Sequence, residues 1–142
     1  MRFWDTSALV PLVLDEPASA ACRRALRGDP VIAVWAFTRT ELVSAIRRRE
    51  RDGDLDAAKT TKALDRVTKL VARWTEVEAW DHVRERAERL LAVHPLRAAD
   101  ALQLGAALAL YDDRGRGRTF LTRDNNLATA AGREGFSTIV PV

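Results

Sequence analysis

Four acids carry the chemistry to be expected of this sequence: Asp5, Glu41, Asp100 and Asp124. Asp5 ends a short apolar run, Phe3-Trp4, and the chain then turns through Thr6 and Ser7 into a second apolar segment. Asp124 follows a similar run, Phe120-Leu121, with Thr122 between. Glu41 and Asp100 fall in the first turns of helical patterns, Thr38-Arg-Thr-Glu41 and Arg97-Ala-Ala-Asp100. Strand ends and helix starts of this kind share one rim of a parallel sheet, where ligands bind in open α/β proteins. Carboxylates gathered in one crevice repel and raise one another's pKa values. A hard divalent cation, Mg²⁺ or Mn²⁺, resolves that conflict because it prefers oxygen ligands. Such an ion lowers the pKa of a bound water and steadies charge on a phosphoryl oxygen. The chemistry implied is metal-dependent phosphodiester hydrolysis. No Cys/His cluster, glycine-rich phosphate loop or nucleophile elbow competes with it.

Taken singly, each acid has a plainer explanation. Asp5 and Asp124 suit helix N-caps. Glu41 fits a capping box with Thr38 as the cap, and Asp100 suits the positive end of a helix dipole. Only the shared rim lifts them above these local roles.

The elements that must position the acids alternate as in βα units, which implies a parallel sheet. Strands are expected at 2–5, 31–34, 74–77, 119–122 and 138–140. Helices are expected at 8–14, 17–27, 35–50, 55–73, 80–93, 98–111 and 127–131, with Pro17 opening the second. The segment 98–111 is apolar nearly all round and is expected to be central. At 142 residues, 47% hydrophobic and 30% charged, the chain reads as one soluble α/β domain spanning 1–142. No apolar run approaches the ~18 residues of a membrane span, and no secretion signal is visible. Cys22 is alone, so an internal disulfide is excluded and a cytoplasmic setting is the simplest expectation. The net charge of +3 permits an anionic partner without requiring one.

The motifs Trp-Asp5-Thr-Ser-Ala-Leu, Thr-Glu41-Leu, Arg-Ala-Ala-Asp100-Ala-Leu-Gln-Leu and Leu-Thr-Arg-Asp124 together resemble a PIN domain. The likeness covers essentially the whole chain, and the length is similar to that of VapC-like toxins of toxin–antitoxin pairs. That resemblance implies a parallel five-stranded sheet sandwiched between helices. It also implies a Mg²⁺- or Mn²⁺-dependent endoribonuclease held inactive by a small antitoxin protein, and a homodimer. Carried over by residue, Asp5 and Asp100 would be the firmest metal ligands, and Asp124 would ligate directly or through water. Glu41 would support the attacking water or a second metal. Thr6 and Ser7 would hold Asp5 or substrate, and Thr122 occupies the hydroxyl position before the last acid. With no residue suited to activating the RNA 2′-OH, cleavage is expected to leave a 5′-phosphate.

Around this constellation, Arg116 and Arg118 are candidate phosphate contacts in the loop before the strand leading to Asp124. Arg97 is placed to balance the acids or to touch substrate. Arg47, Arg48, Arg49 and Arg51 read first as a solvated helix end and only second as an RNA track. Trp35, Trp74 and Trp80 read as core or interface anchors, and His82 and His94 as ordinary helix residues. Two other function classes stand beside the nuclease. One is a catalytically silent PIN-like module that binds RNA or protein. The other, a haloacid-dehalogenase-type phosphotransfer domain, is disfavoured because Ser7 stands where a second acid is wanted.

Overall fold

The computed structural model describes residues 1–142. Its five strands are β1 (Arg2–Trp4), β2 (Ile32–Trp35), β3 (Trp74–Val77), β4 (Thr119–Leu121) and β5 (Ser137–Ile139). They form one sheet in the order β3-β2-β1-β4-β5, with every pairing parallel. The helices are α1 (Thr6–Val13), α2 (Ser19–Gly28), α3 (Thr38–Arg51), α4 (Ala57–Val71), α5 (Trp80–Val93), α6 (Ala98–Leu110) and α7 (Asn125–Arg133). No helix is long and apolar enough to cross a membrane.

Alternation along each strand divides the core into two layers. Phe3, Ala33, Trp35 and Phe120 face a cluster built from α5, α6 and α7. Trp4, Ile32, Val34 and Leu121 face the opposite cluster, built from α1, α3 and α4. Side chains of both kinds on β1 are fully buried, as a central parallel strand requires. The sheet grows outward from β1 in both directions, first to β2 and β3, then to β4 and β5. The strand order therefore reverses beside β1, and a crevice opens at the carboxyl ends of β1 and β4.

Several element boundaries depart from the sequence reading by a few residues, and four of them have a local cause. Trp35 belongs to β2 rather than to the next helix, because its ring is 2% exposed and packs edge-on against Phe37 and Trp80. The backbone N–H of Ala36 also bonds Val77, which extends the pairing one residue further. Consequently α3 starts at Thr38, not Trp35. Pro17 does not open α2, which begins at Ser19. There the Ser19 hydroxyl donates to the Leu14 carbonyl and accepts the Glu16 N–H, forming a tight entry turn. At the far end, α7 starts at Asn125 rather than Leu127, because Asp124 caps it.

Candidate active site

Asp5 leaves β1 as the N-cap of α1. Its Oδ2 takes three hydrogen bonds: one from the Ser7 hydroxyl, one from the Ser7 N–H (3.2 Å) and one from the Thr122 hydroxyl (2.8 Å). Oδ1 accepts none, so one oxygen fixes the side chain and the other stays available to the cleft. Thr122 oxygen also accepts the Asp124 N–H at 3.0 Å, which ties the ends of β1 and β4 together. Asp124 in turn caps α7 through the Leu127 N–H at 2.8 Å. For Asp5 and Asp124, the capping role and the place at the rim coexist.

Glu41 differs. Phe37, not Thr38, stands at the N-cap of α3 and makes no side-chain cap bond, so the capping box does not form. The Glu41 carboxyl instead accepts a 2.8 Å hydrogen bond from Gln103 on α6. Asp100 lies in the first turn of α6, beside Arg97 at the helix start.

All four acids line one open cleft of about 500 Å³, together with Thr6, Ser7, Ser44 and Arg48. Burial raises the Asp5 carboxyl, with its three donors opposing and Asp100 adding to the rise. Glu41 is raised by burial and then by the Asp5 charge, against the favourable bonds of Thr6 and Gln103. Asp100 is raised by burial and by Asp124, and Arg97 partly offsets this. Three of the four acids therefore resist ionisation, chiefly because they are withdrawn from water. The donor set is oxygen only, which suits a hard cation. As the side chains stand, no three His, Cys, Asp or Glu groups are close enough to hold an ion.

The remaining candidates divide. Thr6, Ser7 and Thr122 join the acids, and Arg97 stands beside Asp100. Arg116 and Arg118 do not. They precede the amino end of β4, whereas Asp124 follows its carboxyl end. Arg118 instead lies over the Tyr111 ring, 5.0 Å from its centre. The arginines at the end of α3 also separate: Arg47 pairs with Glu50, Arg49 with Glu16, and Arg48 enters the cleft wall. Ser44 and Arg48 follow Glu41 by three and seven residues, a helical-face spacing that marks them in the sequence. Gln103 follows Asp100 by three on the same principle.

Trp35 is a core residue, as its apolar context implies, while Trp80 is 45% exposed beside Phe37. His94 does more than end a helix: its ring bonds Glu134 at 2.7 Å, outside the cleft that the acids line.

Comparison with known structures finds the same fold in several solved proteins. A toxin–antitoxin complex from Klebsiella pneumoniae matches with a TM-score of 0.69 at 17% identity, covering 100% of this chain and 98% of that one. FitAcB from Neisseria gonorrhoeae gives 0.70 at 17% identity, covering 99% and 98%. PAE2754 from Pyrobaculum aerophilum gives 0.63 at 20% identity, covering 96% and 87%. No curated protein sequence matches the chain significantly. The PIN domain family model, however, matches residues 2–133, nearly the whole length, and the chain belongs to the PIN domain family.

Proposed function

We propose that this protein is a Mg²⁺- or Mn²⁺-dependent endoribonuclease and the toxin of a toxin–antitoxin pair. The observation that carries the reading is the gathering of Asp5, Glu41, Asp100 and Asp124 along one cleft at the carboxyl ends of β1 and β4. Asp5, Asp100 and Asp124 would hold the ion, with Glu41 beside them. When bound, it supplies an activated water and offsets charge on the phosphate.

The chain's own residues account for the rest of the chemistry. Ser7 and Thr122 hold Asp5 in one rotamer through Oδ2. Glu41, raised above its ordinary value first by burial, is suited to accept the proton of an attacking water. Arg48 and Arg97 bring positive charge to an otherwise acidic rim, where an RNA backbone would lie. Hydrolysis by water leaves a 5′-phosphate and a 3′-hydroxyl.

The antitoxin partner is supported by the toxin–antitoxin complex from Klebsiella pneumoniae among the structural neighbours. A homodimer and a cytoplasmic setting belong to the same reading.

The deciding experiment incubates total cellular RNA with the purified chain and Mg²⁺ or Mn²⁺, beside Asp100→Asn, and sequences the fragment ends. Discrete cuts with 5′-phosphate ends, needing both metal and Asp100, are expected. Cyclic 2′,3′-phosphate ends would refute the mechanism. Absence of cutting by folded, metal-loaded protein free of antitoxin would leave a silent RNA- or protein-binding module.

A further inference from the structure

Gln103 is the one buried polar side chain of α6, 1% exposed in a helix otherwise buried through Ala, Leu and Gly. Its Nε2 donates to Glu41 at 2.8 Å and to the Thr6 hydroxyl at 2.9 Å, with Thr38 at 3.5 Å. An amide nitrogen has two hydrogens, so the two short bonds exhaust it. The amide oxygen is buried and has no partner.

An unpartnered buried acceptor weakens a fold, and such groups in natural proteins call for an explanation. Packing supplies none, because Met has similar volume and would bury no amide oxygen; what Met gives up is the donor to Glu41 and Thr6. Turning the amide over would set its oxygen against the Glu41 carboxylate, so its orientation follows from Glu41 being an acceptor. The amide also joins three helices, α1 through Thr6, α3 through Glu41 and α6 itself, at the rim where the acids converge.

We infer that Gln103 is a positioning residue whose amide fixes the Glu41 carboxylate as part of an ion site in the cleft. Its catalytic consequence rests on the nuclease reading; its effect on ion binding does not.

The test compares wild type, Gln103→Met, Glu41→Gln and the double variant. Metal-free thermal melts, calorimetric titration with Mn²⁺ alone, and RNA cleavage kinetics are read on each. Gln103→Met is expected to melt close to the wild-type temperature, because removing the unpartnered oxygen offsets the lost donor to Glu41 and Thr6, which separates its role from a structural one. Its Mn²⁺ affinity should fall several-fold, and its kcat tenfold or more with KM within about twofold. In the Glu41→Gln background the same change should have no further effect on either. A Gln103→Met protein that melts well below wild type would overturn the inference, as would unchanged Mn²⁺ affinity or additive effects in the double variant. Absence of Mn²⁺ binding by wild type would overturn it too. If wild type binds Mn²⁺ in a Gln103-dependent way but cuts no RNA, the nuclease reading fails and the positioning role stands.

Discussion

Gly105→Ala tests the packing that places α6, and with it Asp100 and Gln103, over the sheet. A Cβ at Gly105 would sit 2.9 Å from the Val83 carbonyl oxygen and 3.2 Å from the Ala87 nitrogen, both backbone atoms of α5. No rotamer change can clear them, so the two helices must separate. Overpacking of a core costs about 1–3 kcal/mol, and a backbone obstacle belongs at the upper end. Replacing Gly by Ala within a helix returns about 1 kcal/mol. The net loss is about 2 kcal/mol. Unfolding entropy near 2.1 cal/mol/K per residue gives roughly 0.3 kcal/mol/K for this chain, so the melting temperature should drop by about 7 °C. Gly132→Ala in α7 is the matched control, since an added Cβ there meets no atom within 4 Å. It should gain about 1 kcal/mol, or about 3 °C. Thermal melts by circular dichroism without added metal give both numbers. A Gly105→Ala protein melting at or above wild type, or shifting in the same direction as Gly132→Ala, would refute the close-approach argument.

Other outcomes follow from the charges. Asp100→Asn should lower cleavage by more than about 100-fold, beyond the usual loss for residues that only support a metal ligand. The same variant should raise the metal-free melting temperature at pH 7, because it removes a carboxylate that the fold holds above its ordinary pKa. With Asp5, Glu41 and Asp100 all raised, their contribution to metal-free stability is full below the ordinary carboxylate range and is lost as pH rises through the raised values. Melts from pH 4 to 8 would show this, and saturating Mn²⁺ should restore stability at the neutral end. Glu134 behaves oppositely: burial would raise it, but Arg89 and His94 outweigh that and hold it low. Its stabilisation is present above the ordinary range and lost as pH falls through its lowered value, so Glu134→Gln should cost about 1–2 kcal/mol at pH 7 and much less at pH 3. A difference independent of pH would refute that assignment.

Much of the site is legible in the sequence because its cues are local. Asp5 and Asp124 each end an apolar run, and such runs become strands whose carboxyl ends share one rim. Asp100 stands out on a helix with few other polar residues. Glu41 is harder, since Thr38-Arg-Thr-Glu41 is as good a capping sequence as a site sequence. The cap is ruled out only in three dimensions, where Phe37 takes the N-cap, Thr38 is already helical and the Glu41 carboxyl turns to Gln103. Arg116 and Arg118 mislead for the complementary reason. They are close to Asp124 along the chain, but β4 runs between them, and an extended segment carries its two ends apart at about 3.3 Å per residue. Gln103 looks like an interruption of an apolar helix until Thr6 and Glu41 are brought to it from positions 97 and 62 residues away.

The hydrogen bond from Thr122 to Asp5 spans 117 residues of sequence. β4 also fills the sheet position between β1 and β5, so half of the rim is missing until it docks. Loops of this length close late in folding, after local helices have formed. During synthesis Asp5 therefore stays free of Thr122 until the 117 residues that separate them have been added. A product truncated anywhere before residue 119 has no complete rim at all. Whatever this cleft does, it waits on β4, the fourth of the five strands to be made.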